Sequence, residues 1–139
     1  MDDCIFCKIS KGEMESAKVW EDEDTFAFLD VNPIAKGHCL ISPKNHFINL
    51  FDIDEKVLQK ISLVAKDLAD RMKRTLGCTG VNLVNASGKD AEQSVFHFHL
   101  HVVPRYENDN LHMNEWWRTK AFIKDMDELK KLADQLNNK

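Results

Sequence analysis

Three histidines stand at every second position in the run Phe96-His97-Phe98-His99-Leu100-His101-Val102-Val103-Pro104-Arg105, each followed by an apolar residue. Half of the chain's six histidines fall in five consecutive residues. In an extended strand His97, His99 and His101 share one face, and Phe98, Leu100 and Val102 the other. Imidazole gains and loses its proton near neutral pH, so such a row can supply a nucleophile, an acid or base, or a metal ligand. Strand geometry narrows the choice. At about 3.3 Å per residue, the Cα atoms of His97 and His101 lie roughly 13 Å apart. One ion held by all three is not expected, and the imidazoles are expected to hold separate tasks.

A second reactive pair is Cys4-Ile5-Phe6-Cys7. A C-x2-C pair is half of a tetrahedral zinc site, and thiolate with imidazole suits Zn²⁺. A redox dithiol would sit at a strand-to-helix turn in a βαβ unit, a pattern this chain does not show. Two further ligands are needed. Cys39, Cys78, His38, His46, His97 and His112 all qualify, and their spacing does not choose among them.

The elements that must position these groups are legible in outline. Residues 4–11 read as a short helical turn ending at Gly12. Residues 17–20 and 25–29 read as a hairpin around the acidic turn Glu21-Asp22-Glu23-Asp24. After Asn32-Pro33 and Gly37, residues 38–42 read as a third strand stopped by Pro43. A long helix is expected from about Asp54 to Leu76, with Val57, Ile61, Val64, Leu68 and Met72 at helical spacing and Gly77 as its stop. Residues 81–84 and 96–103 make two more strands, joined by the polar loop Ser87-Gly88-Lys89-Asp90-Ala91-Glu92. Backbone N–H groups of that loop could cradle phosphate oxygens. A final helix from about Asp125 carries Leu129, Leu132, Ala133 and Leu136 on one face. Hairpins with one long helix indicate an α+β fold on an antiparallel five-stranded sheet.

The 139 residues suit one domain, spanning 1–139. Nineteen Lys and Arg against 23 Asp and Glu leave a formal net charge of −4, so dedicated nucleic-acid binding is not expected. A small anionic ligand stays compatible with an acidic chain. Met1-Asp2-Asp3-Cys4 has no cationic leader pattern, and no apolar run reaches membrane-spanning length. With four cysteines, these features lead us to expect a cytoplasmic protein with no membrane partner.

The run Gln93-Ser94-Val95-Phe96-His97-Phe98-His99-Leu100-His101-Val102-Val103 resembles the signature of the histidine triad (HIT) family of nucleotide hydrolases and transferases. Cys4-Ile5-Phe6-Cys7-Lys8-Ile9, Phe28-Leu29-Asp30-Val31-Asn32-Pro33, and Gly37-His38 with Pro43-Lys44-Asn45-His46 resemble its zinc-bearing bacterial-type branch, in the same order. The resemblance covers about residues 4–106; the tail, 107–139, carries no matching motif. It implies a HIT-like fold whose sheets join across a homodimer. It also implies that His99 is the nucleophile on an α-phosphorus, that His101 contacts phosphate oxygens, and that Ser94 binds the phosphate or leaving atom with Gln93 beside it. His38 would support the histidine cluster. Asp30 would take the ribose hydroxyls, Ile5, Phe6, Ile9 and Phe28 would form the slot for the base, and Asn85 would lie near the phosphate path. The ligands of a structural zinc would be Cys4, Cys7, His46 and His97.

The implied activity is hydrolysis of a purine nucleoside phosphoramidate or related conjugate, releasing a nucleoside monophosphate. The alternatives are a dinucleoside polyphosphate hydrolase and a zinc-stabilised nucleotide-binding module with little turnover. Where family members often carry a small residue, commonly glycine, this chain has Glu92. Pointing inward, that carboxylate would repel a phosphate or favour a cationic leaving group. Trp116 and Trp117 are expected to pack the tail onto the sheet or a partner, the sharper reading being a cap over the site. Arg105 is expected in a surface ion pair rather than on phosphate.

Overall fold

The computed structural model describes residues 3–119 and 125–138. These fall into two compact units, divided between Asp109 and Asn110.

The first unit is a five-stranded antiparallel sheet ordered β1-β2-β3-β5-β4, with helices α1 (Ile5–Ser10) and α2 (Glu55–Leu76). Its strands are β1 (Lys18–Glu21), β2 (Thr25–Leu29), β3 (Cys39–Pro43), β4 (Gly80–Val84) and β5 (Leu100–Arg105). The acidic turn between β1 and β2 closes on Asp22, whose Oδ1 accepts from the backbone N–H groups of Asp24 and Thr25 and from the Thr25 hydroxyl. The α2 helix starts where expected: the Asp54 carboxylate accepts from the Val57 N–H as N-cap. It stops at Gly77, whose φ of 71° is the left-handed conformation glycine adopts without strain.

Alternation along the strands sorts the interior into two cores. Ala27, Cys39, Ile41, Phe98 and Val102 pack with Ile61, Val64, Ala65, Leu68 and Met72 of α2. Phe26, Phe28 and Leu40 point the other way and pack with Phe6 and Ile9 of α1. The histidine run follows this alternation, with Phe98 and Val102 in the α2 core.

One strand differs from its expected extent. β5 begins at Leu100, and residues 96–99 lie outside the ladder. The β3–β5 register ends at Ile41 opposite Leu100. Beyond it the backbone is held by other partners: the Phe98 N–H donates to the Phe47 carbonyl at 2.7 Å, and the Ser42 hydroxyl donates to the Phe98 carbonyl at 2.8 Å. Only His101 of the three histidines is a strand residue. Pro104 is tolerated in β5 because pairing with β3 stops at Val102, leaving β4 as the remaining neighbour.

The second unit carries two helices, α3 (Glu115–Arg118) and α4 (Met126–Asn137). The Asp125 carboxylate caps α4 by accepting from Asp127 N–H, which puts the helix start where its pattern predicts it. The short α3 carries Trp116 and Trp117, whose rings stack 6.5 Å apart.

Candidate active site and metal centre

Leaving the ladder early lets the three imidazoles diverge. His97 and His99 are buried, and His101 is half-buried. His99 Nδ1 lies 2.8 Å from the His97 carbonyl and must donate its proton there, because a carbonyl only accepts. Its Nε2 therefore carries the lone pair. Burial pushes its pKa below the ordinary imidazole value, so the ring is neutral at pH 7. A neutral imidazole with a free Nε2 is a competent nucleophile.

A proton order can be read along the neighbouring pair. The Ile34 N–H donates to His38 Nδ1 at 3.2 Å, which leaves the His38 proton on Nε2. That nitrogen lies 2.9 Å from His101 Nδ1, so His38 donates and His101 keeps its own proton on Nε2. Burial, reinforced by His99 and His38, pushes His101 down to about 4. His101 is thus a neutral donor. Asp30 Oδ2 stands 3.6 Å from His38 Nε2, while its Oδ1 accepts from Asn32 N–H. Asp30, His38 and His101 are close enough to hold a cation. The Ile34 bond argues against it: a metal on His38 Nε2 would need an imidazole stripped of both protons.

These groups open onto a cavity of about 430 Å³. Ile5, Phe6, Ile9 and Phe28 give it an apolar wall, and Asp30, Ser94, His99 and His101 also line it. That size and lining suit a small-molecule site. The Phe6 ring sits edge-on 5.2 Å from His99. Met14, Glu15, Ser16, Asn32 and Val95 also line the cavity, and sequence reasoning missed them. Met14, Glu15 and Ser16 lie outside any regular element, without periodicity; Asn32, two residues from Asp30, and Val95, next to Ser94, carried a hint.

Two expected residues are placed elsewhere. Asn85 is not among the cavity's lining residues; its Nδ2 donates to the His99 carbonyl at 2.9 Å, and its Oδ1 accepts from Ser87. Gln93 is buried outside the cavity lining, with Oε1 accepting from Gly88 N–H and Nε2 donating to the Ile48 and Val95 carbonyls. Both amides are committed to holding backbone. Glu92 is exposed at φ 63°, a left-handed conformation that explains why a glycine suits this position.

Two residues before His99 in the chain, His97 joins Cys4, Cys7 and His46 to bring two sulfurs and two nitrogens within 4.8 Å of one another. His97 Nε2 donates to the Pro43 carbonyl at 2.8 Å, which turns the Nδ1 lone pair toward the Cys4 and Cys7 sulfurs at 3.4 and 3.5 Å. His46 Nδ1 lies 3.3 Å from Cys7 Sγ. In a tetrahedral zinc site, bonds of about 2.3 Å to sulfur and 2.0 Å to nitrogen put those atoms about 3.5 Å apart. The four groups fit the ion. Of the other candidates, Cys39 and Cys78 lie in the α2 core, His38 bonds to His101, and His112 belongs to the second unit.

A family model described as the HIT domain matches residues 11–108. The chain belongs to the HIT domain family. Adenosine 5'-monophosphoramidase from Saccharomyces cerevisiae is 39% identical over 133 residues, 96% of this chain and 80% of that protein. The crystal structure of a HIT family protein from Bacillus anthracis superposes with a TM-score of 0.85 at 35% identity, over 99% of this chain and 96% of that one. A zinc-bound histidine triad family protein from Mycobacterium smegmatis gives a TM-score of 0.77 at 35% identity, over 81% of each chain. The five-stranded α+β architecture is thus that of other HIT proteins. Arg105 of this HIT domain pairs with Asp109 at 2.8 Å and donates to Asn82, on the side of β5 that meets β4.

Proposed function

We propose that this HIT protein hydrolyses a purine nucleoside phosphoramidate, or a related nucleotidyl conjugate, through a nucleotidyl intermediate on His99. The observation that carries the reading is the His99 Nδ1–H bond to the His97 carbonyl, which leaves Nε2 free beside the cavity. Nε2 bonds to the α-phosphorus as the bond to the leaving nitrogen breaks, and that nitrogen takes a proton from solvent and departs as an amine. Water then attacks phosphorus and the His99–phosphorus bond breaks. The nucleoside monophosphate leaves, and the water's second proton goes to solvent. Phosphoryl transfer asks mainly for position and charge stabilisation. His101 Nε2–H serves the phosphate oxygens, Ser94 the leaving atom, and Asp30 the ribose hydroxyls, whose protons its carboxylate can accept. Ile5, Phe6, Ile9 and Phe28 take the base. The activity named for the yeast relative supports this substrate class.

In the same reading Cys4, Cys7, His46 and His97 hold a structural zinc; the zinc-bound mycobacterial neighbour supports it. With all four positions filled by protein, the ion would anchor structure rather than bind substrate. A homodimer completes the proposal, since β4 is an edge strand with unpaired backbone groups that a second copy could match.

The test is AMP release from adenosine 5'-phosphoramidate. Wild type is expected to turn it over, and His99→Ala to lose at least about a thousandfold in kcat, as removal of a covalent nucleophile does. A wild-type protein that binds AMP but hydrolyses no phosphoramidate would overturn the reading.

A further inference from the structure

A second cavity, of about 390 Å³, adjoins the one that holds His99. Ile5, Ser94 and Val95 line both, so the two spaces share a wall that includes Ser94. His99 and His101 line only the first. In an in-line displacement the leaving atom moves away from the nucleophile. A substrate attacked by His99 with Ser94 at its leaving atom therefore has its departing group on the side that Ser94 shares with the second cavity.

The walls of that space are one-sided in charge. Asp3 contributes a carboxylate, and among the described residues no lysine or arginine lines the cavity. Phe96 contributes a ring that is 55% exposed although it sits beside buried His97. An aromatic face is apolar to an alkyl chain and attractive to an ammonium group. Cys4 and His46 complete the wall, and a zinc held there as proposed above would have its charge cancelled by the two thiolates. Among the described residues of this lining no side chain carries a fixed positive charge to balance an incoming phosphate or carboxylate.

We propose that this cavity is a leaving-group subsite for alkyl amines that carry a second, positively charged end, read by Asp3 and Phe96. The inference rests on the phosphoramidate reading and deepens it. The bond broken is the same one, between α-phosphorus and the amine nitrogen, which takes a proton and leaves through the second cavity. Anionic leaving groups, such as the second half of a dinucleoside polyphosphate, are disfavoured by the same walls.

The experiment compares AMP joined by a P–N bond to three amines of similar length, ending in an ammonium, a methyl or a carboxylate. Adenosine 5'-phosphoramidate, which releases only ammonia, is run alongside. At low salt we expect wild-type kcat/KM to favour the ammonium-ended over the carboxylate-ended compound about fivefold, the scale of partly exposed charge and cation–π contacts. The ratio should shrink as salt screens the carboxylate, and fall toward unity in Asp3→Asn. Phe96→Ala should lower kcat/KM for the ammonium- and methyl-ended compounds relative to the phosphoramidate. The salt series on wild type keeps the test open if a variant fails to fold. Turnover of the phosphoramidate with no preference among the three ends would overturn the subsite alone. No turnover of any compound would remove the phosphoramidate reading and the subsite with it.

Discussion

The His97 carbonyl does two things at the scale of single residues. It accepts the proton that fixes the tautomer of His99, and it belongs to a residue whose own ring faces two thiols. Ser42 holds the next carbonyl, that of Phe98, and Asn85 the one after it, that of His99, so three successive carbonyls around His99 are engaged in hydrogen bonds. Burial is the main reason His38, His99 and His101 have pKa values below the ordinary imidazole range. We expect turnover of adenosine 5'-phosphoramidate, corrected for uncatalysed hydrolysis, to hold as pH falls from 7 to about 6, where an ordinary imidazole would already be largely protonated. Stability has the matching sign. The unfolded chain takes up these protons near pH 6.5, while folded His101 does so only near about 4, so folding weakens as pH falls through that window. Each such histidine contributes a slope of up to about 1.4 kcal/mol per pH unit, measurable by urea unfolding at pH 7 and 5. A stability that is flat or rises on acidification would contradict the assignment.

At the scale of elements, α1 is six residues long, too short to stand as an isolated helix. Its seat comes from Phe6 and Ile9 in the core and from Cys4 and Cys7 beside His46 and His97. If those four hold zinc, removing it with a strong chelator should lower the unfolding free energy by at least about 3 kcal/mol, restored by added Zn²⁺. Equal stability with and without metal would refute that role. The loop before the histidines invites a change of opposite sign. Glu92 is a non-glycine residue at φ 63°, and Glu92→Gly should stabilise the fold by about 1 kcal/mol in denaturant unfolding. Sequence periodicity showed the hairpin, the α2 helix and its caps because local pattern determines them. The early end of β5 was invisible, since the bonds that replace its ladder come from Phe47 and Ser42, about fifty residues away in the chain. For the same reason Gln93 and Asn85 could be singled out by position but not placed: their amides answer to Ile48, Gly88 and the His99 carbonyl.

At the scale of the whole molecule, the sheet is lopsided. Strand β5, which carries His101, is its fourth member, one strand from the β4 edge. Leu83 on that edge is 52% exposed, an apolar residue beside unpaired backbone. Light scattering should give twice the chain mass for the native protein, and Leu83→Arg should shift it toward the monomer. A native protein that is monomeric at micromolar concentration would end the dimer proposal. In the second unit, Met126, Leu129, Leu132 and Leu136 of α4 are all exposed, and the amphipathic pattern that revealed the helix is silent about what covers its face. The early break in β5 also bears on attempts to build such a site anew. Copying the alternating histidines onto a regular strand would reproduce the spelling of the motif and yield a picket fence of equivalent rings. What a designer would have to transplant is the interruption itself, with the Phe47 carbonyl, the Ser42 hydroxyl and the Asn85 amide that hold it open.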